Sequence, residues 1–504
     1  MVSMTTLPQH RNEEIELKLA LPSADPLGLA KRLSQTPVLA RRKPTQLHLY
    51  NVYYDTPEQT LRQQRIALRL RRLGSDEKPK WLQTLKTGDR GESALSRRGE
   101  WEIPVRDATL SLKALKATPW SDIDPMGTLF QALAPIFVTT FERITWLVRK
   151  PAGNVVEVAL DIGEIVVGNK SESICELELE LKVGQPSALF EIGQEIARTI
   201  AVLPLNASKA ERGYALAQDG VAIALHAQSQ PLTSDLPLPE TAQRVLFEMF
   251  CQFTTNLNAL RISDDAEVVH QARIGWRRFR SARRLFRPVL EFELAPYGQA
   301  LRALLTDLSK LRDLDVARNE TLPAFAHAYA AGDLRRAAAW QAMILALTRA
   351  TELQLRAVRH ALQEPAVGAD LLAMTQWLQD LTHSRATRNA MFESKVSRRN
   401  WVRHRIRRLH KLLKLACRED DRPARQHRIR ILAKRLRYGV EALQTLLPKK
   451  RTQRWYQQAT NLQTSIGARR DVMQAAALVT ELQVDRGLIE FLHGLGVASK
   501  RKGG

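Results

Sequence analysis

The sequence predicts a multidomain α+β protein, with a β-rich N-terminal half and an all-helical C-terminal half. Three observations carry that reading. Before residue 220, charged and apolar residues alternate with a period of two; after residue 240 the apolar period becomes 3.6. Between them, residues 222–240 read AIALHAQSQPLTSDLPLPE, with three prolines and almost no charge. The third observation is electrostatic. The net charge is +23, yet residues 1–240 hold 29 Lys+Arg against 29 Asp+Glu, while residues 241–504 hold 47 against 24. A balanced module is followed by a cationic one, and polyanion binding is expected in the second. The boundaries drawn are 11–218, a connector at 219–241, and 242–495.

The strands come first. Glu14-Ile15-Glu16-Leu17-Lys18-Leu19, Ala67-Leu68-Arg69-Leu70-Arg71 and Cys175-Glu176-Leu177-Glu178-Leu179-Glu180-Leu181-Lys182 each put charges on one face and aliphatics on the other. Further strands are expected at 47–54, 80–87, 98–105, 141–149 and 154–167, the last turning near Gly163. Helical patterns fall at 25–35, 187–201 and 207–217. Many strands with few helices suit an antiparallel sheet or barrel.

The helical half breaks near Pro288, Pro323, Pro365, Pro423 and Pro448, and it repeats internally. His270-x-x-Arg273-x-x-x-Arg277-Arg278-x-Arg280 recurs 157 residues on as His427-x-x-Arg430-x-x-x-Lys434-Arg435-x-Arg437. Arg312-Asp313 recurs as Arg470-Asp471 at an offset of 158. Two homologous helical halves are expected.

Three cysteines far apart (Cys175, Cys251, Cys417) form neither a disulfide framework nor a CxxC metal site. The N-terminus lacks the apolar stretch of a secretory signal, and no apolar run reaches the ~18 residues of a membrane span. A cytoplasmic protein is expected.

Glu14 and Glu16, Glu176 to Glu180, and Arg69 with Arg71 sort onto separate strands. A solvated sheet face is one reading. Three glutamates in register repel one another, however, and solvent faces usually mix signs. Carboxylates on some strands and cations on others suit an interior that holds a hard metal and an anion together. No GxxxxGK[ST] loop is present, so a P-loop NTPase is disfavoured.

The blocks EIELK (14–18), YYDTP (53–57), LRQQRIALRLRR (61–72), RRGEWE (97–102), FERITW (141–146), ALDIGEI (159–165), CELELELK (175–182) and SKAERGY (208–214) resemble, in family order, the CYTH domain of the triphosphate tunnel metalloenzymes. The resemblance implies an eight-stranded antiparallel β-barrel enclosing a polar tunnel. It implies Glu14 and Glu16 on one wall as metal ligands, Glu178 and Glu180 opposite, and Asp161 as a further carboxylate, with Mg²⁺ or Mn²⁺ as the metal. Arg69, Arg71, Lys86, Arg143 and Lys209 match the cations that bind triphosphate, and Arg98 with Glu100 a tunnel-wall pair. Lys18 would orient or deprotonate the attacking water. Glu176 could share the metal role, and Arg212 could cap or dock the last helix.

VHQARIGWRRFRSARRLF (269–286), LSKLRDLDVA (308–317) and their copies resemble the CHAD domain, which implies a pair of four-helix bundles with a basic surface for inorganic polyphosphate. His270, Arg273, Arg277 and Arg280 share a helix face, as do His427, Arg430, Lys434 and Arg437. A solvated basic face is the alternative; two stripes converging across a pseudo-twofold would make a cationic groove. The histidines would donate hydrogen bonds there. Arg312-Asp313 and Arg470-Asp471 read equally as structural ion pairs or as binding groups. No stacking platform or DNA-reading element is seen, so no specific nucleic acid is expected. Residues 401–416 form an amphipathic segment read as core-packed, and no membrane partner is expected.

CYTH followed by CHAD resembles bacterial inorganic triphosphatases. The expected activity is metal-dependent hydrolysis of tripolyphosphate to pyrophosphate and phosphate, with long-chain polyphosphate as partner and cytoplasmic polyphosphate granules as one setting. The alternatives are an organic triphosphate hydrolase, for thiamine triphosphate or a nucleotide, and a non-catalytic polyphosphate scaffold.

Overall fold

Strands with one charged and one aliphatic face must give each face its own environment, and closing the sheet does so. In the computed structural model, β1 (Glu13–Ala20), β2 (Thr45–Asp55), β3 (Ile66–Leu73), β4 (Lys80–Thr87), β5 (Leu95–Val105), β6 (Ala134–Arg149), β7 (Val155–Val167) and β8 (Lys170–Val183) are all antiparallel to their neighbours. Their order is β5-β4-β3-β2-β6-β7-β8-β1, and β1 pairs back onto β5 to close an eight-stranded barrel. A two-residue β9 (Leu203–Pro204) extends the sheet beside β1. The structure describes residues 12–22, 25–26, 28–74, 79–88, 94–218, 224–228, 232, 236–290, 295–381, 394–418 and 423–498. Residue 11 and, within the expected connector 219–241, residues 219–223, 229–231 and 233–235 lie outside the described residues.

Closure turns the usual core inside out. Leu17 and Leu19 of β1, Trp146 and Val148 of β6, Val156, Val158 and Leu160 of β7, and Leu177 and Leu179 of β8 are fully buried on the outer wall. They pack against Leu29 and Leu33 of α1 (Leu29–Ser34) and Leu189, Ile192 and Ile196 of α6 (Ser187–Ala197). A second outer cluster sets Leu68 and Leu85 against Leu61 of α2 (Thr60–Gln63), Leu115 of α3 (Leu112–Leu115) and Trp120 of α4 (Trp120–Ile123). Phe130 of α5 (Thr128–Gln131) meets Trp120 edge-on. These four-residue helices are too short to show a helical period in sequence.

The expected turn near Gly163 does not exist: β7 runs straight through it. A Cβ at this position would lie 2.1 Å from the Thr140 carbonyl oxygen, so glycine here permits the close approach of β6. Inside the barrel, Tyr53, Phe137, Phe141 and Tyr214 form an apolar cluster, with Tyr53 and Phe137 stacked at 4.5 Å. Tyr214 comes from α7 (Lys209–Ala217), whose Ser208–Glu211 capping box starts the helix.

The first compact unit comprises the described residues up to 218 together with 363–376; the second comprises 224–362 and the chain from 377. In the first unit, Leu372 joins the outer apolar layer, and Gln194 Nε2 donates to Gln376 Oε1 at 2.8 Å.

The second unit is helical: α8 (Leu238–Ala259), α9 (Ala266–Phe286), α10 (Gln299–Val316), α11 (Ala326–Ala330), α12 (Leu334–Ala361), the end of α13 (Pro365–Asp380), α14 (Lys395–Ala416), α15 (Pro423–Leu443), α16 (Lys449–Glu481) and α17 (Arg486–Ala498). The repeat reaches beyond its motifs. Helices α8 and α14 both have 22 residues and α9 and α15 both have 21, each pair offset by 157. Pro365 and Pro423 open helices instead of ending them, because the first helical position needs no N–H. Residues 401–416 lie in α14, which buries Val402, Ile406, Leu413 and Ala416. No described helix is long and apolar enough to cross a membrane.

The discontinuous segment contributes to the barrel's outer core. Leu372→Ala is expected to lower the stability of the first unit by about 2–5 kcal/mol, the usual cost of a buried leucine-to-alanine change. Chemical denaturation followed by tryptophan fluorescence measures it.

Candidate functional site

Because side chains alternate, one register decides everything the barrel's inner face presents. Across β1 and β5, Glu14 stands opposite Arg98; across β4 and β5, Lys86 stands opposite Glu100; across β6 and β7, Arg143 stands opposite Asp161. Opposite charges in register stabilise a sheet, and here they bring the expected residues to one cavity. The cavity holds about 200 Å³ and is lined by Glu14, Glu16, Lys18, Arg69, Arg71 and Lys86, by Arg98, Arg143, Glu178, Glu180 and Lys209, and also by Glu100, Glu102, Glu157 and Lys182. Glu157, Lys182 and Glu102 were not singled out in the sequence, although they share strand parity with Asp161, Glu180 and Glu100.

Two charge clusters occupy this space. In the first, Arg98 Nε donates to Glu14 at 2.7 Å, and Lys86 Nζ reaches both Glu14 oxygens (2.9 and 3.0 Å) and Glu100 (2.9 Å). Lys18 and Arg98 both pair with Glu16, which is only 2% exposed. Burial alone would raise the Glu14 carboxyl, but Lys86, Arg98 and Lys18 outweigh it and hold it well below the usual carboxylate range. Burial pushes the Lys18 ammonium down; Glu178 and Glu14 oppose this, while Lys86 and Lys209 add to it. Beside this cluster, Arg69 lies 3.6 Å from Glu100, and Arg71 lies 3.2 Å from Glu102 and donates to Asn51 at 2.8 Å.

The second cluster starts from a repulsion. Asp161 of β7 stands directly across from Glu176 of β8, two fully buried carboxylates in register. Glu178 joins them, and one oxygen of each of the three lies within 4.8 Å of the others. Lys209 resolves the repulsion from α7: its Nζ lies 2.6 Å from Asp161, 2.5 Å from Glu176 and 2.9 Å from Glu178. Arg143 grips both Asp161 oxygens at 2.7 Å and also pairs with Glu178. Burial would raise the Glu178 carboxyl, but Lys209, Arg143 and Lys18 carry it well below its ordinary value. The segment SKAERGY is thereby explained residue by residue. Arg212 docks α7 by pairing with Glu172 and Glu176 at 2.7 Å, and Gly213 lets Phe137 approach where a Cβ would lie 2.3 Å from its ring.

One expected placement is corrected. Glu178 and Glu180 do not lie on a wall across the cavity from Glu14 and Glu16, because closure makes β1 and β8 adjacent strands: Lys18 pairs in register with Glu178, and Glu16 with Glu180. Burial raises the Glu180 carboxyl against the pull of Lys182, with Glu14 and Glu157 adding to the rise.

In the helical unit, α9 and α15 bring part of each stripe together. Burial and the charges of Arg277, Arg430, Arg470 and Arg273 push Lys434 down to about 7. Burial with Arg277, Arg312 and Arg470 pulls Arg273 down to about 10, against Asp313. None of Arg273, Arg277, Arg430 and Lys434 forms a salt bridge with a described residue, and Arg277 Nε and Arg430 Nη1 are buried without a hydrogen-bond partner. Burial and Arg312 take His270 down to about 4, so its ring is neutral at pH 7. The rest of the stripes lies elsewhere: Arg280 and His427 are exposed, and Arg437 lies 4.7 Å over the Tyr438 ring. Arg312 pairs with Glu320 at 2.6 Å across a π-helical turn at Ala317–Thr321. Asp313 and Asp471 act on Arg273 and Arg430. Arg470 belongs to the cationic group.

Residues 12–214 match the CYTH domain and residues 244–480 the CHAD domain. The chain is a CYTH domain followed by a CHAD domain. It is 34% identical over 206 residues to an inorganic triphosphatase of Haemophilus influenzae, which covers 40% of this chain and 55% of the relative, so the match spans about half that protein's length. Among solved structures, the CHAD domain from the plant Ricinus communis is 27% identical, covering 56% of this chain and 92% of its own, with a TM-score of 0.47. A Hippeastrum protein described as a putative adenylyl cyclase with a dominant triphosphatase activity is 18% identical, covering 41% of this chain and 96% of its own, with a TM-score of 0.28.

The CYTH cavity yields a direct check on its carboxylates. Lys209→Met leaves Asp161, Glu176 and Glu178 facing one another and is expected to destabilise the barrel by about 3–5 kcal/mol. Added Mg²⁺ or Mn²⁺ should raise the melting temperature of this variant more than that of the parent, as read by thermal denaturation with metal and with chelator.

Proposed function

We propose that the CYTH barrel hydrolyses inorganic tripolyphosphate to pyrophosphate and phosphate with a divalent metal, and that the CHAD unit binds polyphosphate. The observation that carries this reading is the make-up of the cavity wall: eight Lys/Arg and seven Glu in one closed space. A site evolved only to hold an anion gains nothing from seven carboxylates. A site for a metal–phosphate complex needs both signs. The inorganic triphosphatase relative at 34% identity supports the same reading.

The donor set fits a hard cation, since three carboxylates already converge on a single positively charged nitrogen. Asp161, Glu176 and Glu178, with Glu14, Glu16 and Glu180 on the adjoining strands, would hold Mg²⁺ or Mn²⁺. The metal would supply charge neutralisation and an acidified water. Arg69, Arg71, Lys86, Arg98, Arg143 and Lys209 bind and align the phosphate oxygens by exchanging carboxylate partners for substrate. Lys18 orients the attacking water, and its lowered proton affinity lets it accept the proton. Glu16 holds Lys18 in place.

An organic triphosphate is the second reading, and one feature favours it. Lys18, Lys86 and Arg98 also line a second pocket of about 150 Å³, together with Arg62, Ile66 and Tyr214. In the CHAD unit, the partnerless N–H groups of Arg277 and Arg430 support an anion as ligand.

Phosphate release from tripolyphosphate, ATP and thiamine triphosphate, with Mg²⁺, Mn²⁺ or chelator, tests the assignment. Turnover of tripolyphosphate is expected to require metal and to fall at least about 100-fold in Glu16→Ala, the loss typical of a misplaced acid–base group. The rate should climb with pH below the ordinary lysine range, because only neutral Lys18 accepts a proton; Lys18→Gln should lose this limb. Binding of polyphosphate by the CHAD unit should weaken as pH rises through about 7, where Lys434 loses its charge. Lys434→Arg should remove that dependence, which titration at several pH values measures.

A further inference from the structure

The repeat makes an internal control possible. Helix α8 carries Glu240, Arg244 and Glu248; its copy α14, equal in length, carries nine Lys/Arg and no Asp or Glu. The packing residues persist, with Val245 and Met249 answered by Val402 and Ile406, all buried. Cationic charge is therefore not what this position requires in order to pack. On α14, Arg399, Arg403, Arg407 and Lys411 recur at i,i+4 and are exposed, with exposed Arg408 beside them. Like charges at that spacing destabilise a helix, and the ladder runs about 18 Å at 1.5 Å per residue.

The ladder approaches the cationic cluster that α9 and α15 share. Beyond Arg277, α9 carries Arg280 and Arg284, and Arg284 is depressed by burial and by Arg435, Arg280 and Arg283 around it. Arg405 of α14 then donates to the Leu285 carbonyl at 3.0 Å, at the end of α9. Arg408 is the charge that, after burial, depresses Arg405.

We propose that the CHAD pocket continues as one cationic track over the last turns of α9 and onto the outer face of α14, and that a single long inorganic polyphosphate chain occupies it. This rests on the polyphosphate reading of the pocket. A nucleic acid is the poorer fit. The aromatic rings beside the track are already covered, Trp401 stacked on Phe286 at 5.9 Å and Trp455 on His410 at 4.5 Å, so no base finds a platform. A chain without bases or sugars can bring phosphate both to the buried N–H groups of Arg277 and Arg430 and to the ladder without needing a stacking surface.

The test uses the full chain with metal chelated and compares tripolyphosphate with long-chain polyphosphate over a range of salt. Arg407→Gln/Arg408→Gln/Lys411→Gln alters exposed side chains, and its melting temperature should equal or exceed that of the parent. Its long-chain binding should weaken, with the slope of log K against log salt shallower by about 2, at ~0.7 per lost contact. Its tripolyphosphate binding should not change. An unchanged long-chain slope overturns the track while leaving the pocket intact. Loss of duplex DNA or anionic-vesicle binding, with polyphosphate unaffected, overturns the occupant. Arg277→Gln/Arg430→Gln should weaken long-chain binding; if it does not, the polyphosphate reading itself fails.

Discussion

The barrel's inner face carries charges that water would ordinarily screen, and it survives folding only because the strand register sets cations against carboxylates. Each pairing fixes a neighbour. Arg98 on Glu14 requires β5 beside β1, and Arg143 on Asp161 requires β6 beside β7. The register also opposes like charges: Glu180 faces Glu16 and Glu157, where Lys18 and Lys182 supply the cations from the sheet, and Asp161 faces Glu176, where Lys209 of α7 brings one from outside it. The polar interior then forces the apolar core outward. Leu17, Leu19, Leu177 and Leu179 need a cover, which α1, α6 and residue Leu372 provide. The outer helices are thus a consequence of the charged tunnel.

Much of this was legible in the sequence, since a charged/aliphatic period of two specifies which side chains share a face. Parity does not specify which strands touch. Glu178 and Glu180 therefore read as an opposite wall, when closure makes them neighbours of Lys18 and Glu16. Gly163 carried an ordinary turn signal, and only the approach of β6 explains its presence in a continuous strand. In the helical half, the 157-residue offset revealed the duplication. It could not divide each stripe into the part that meets its copy and the part that faces elsewhere, because the crossing of α9 and α15 decides that. Arg437 shares a helix face with Lys434 by spacing, yet it lies over Tyr438.

The two units hold cations in opposite ways, and this explains where the net charge lies. In the barrel Arg69, Arg71, Lys86, Arg98, Arg143 and Lys209 each have a carboxylate partner. On the proposed reading, binding a metal and a phosphate together would be an exchange: carboxylates would turn to the metal as the cations turned to the phosphate, and neither sign would be left stranded in a space of low dielectric. An anion alone would leave the carboxylates uncompensated. Such a site favours the complex over either component.

In the helical unit, Arg273, Arg277, Arg430 and Lys434 crowd together with Asp313 and Asp471 beside them, and burial together with that crowding depresses Lys434 to about 7. Folding maintains the crowding because the apolar faces of α9 and α15 pack regardless of it, as weakly acidic α8 and cationic α14 pack alike. A polyanion relieves the repulsion without any metal, at every point along its length. Paired charge suits a site that must select a metal–phosphate complex and act on it; unpaired charge suits one that must only retain a chain. The +23 of this protein lies wholly in the half after residue 240, and the half before it is balanced.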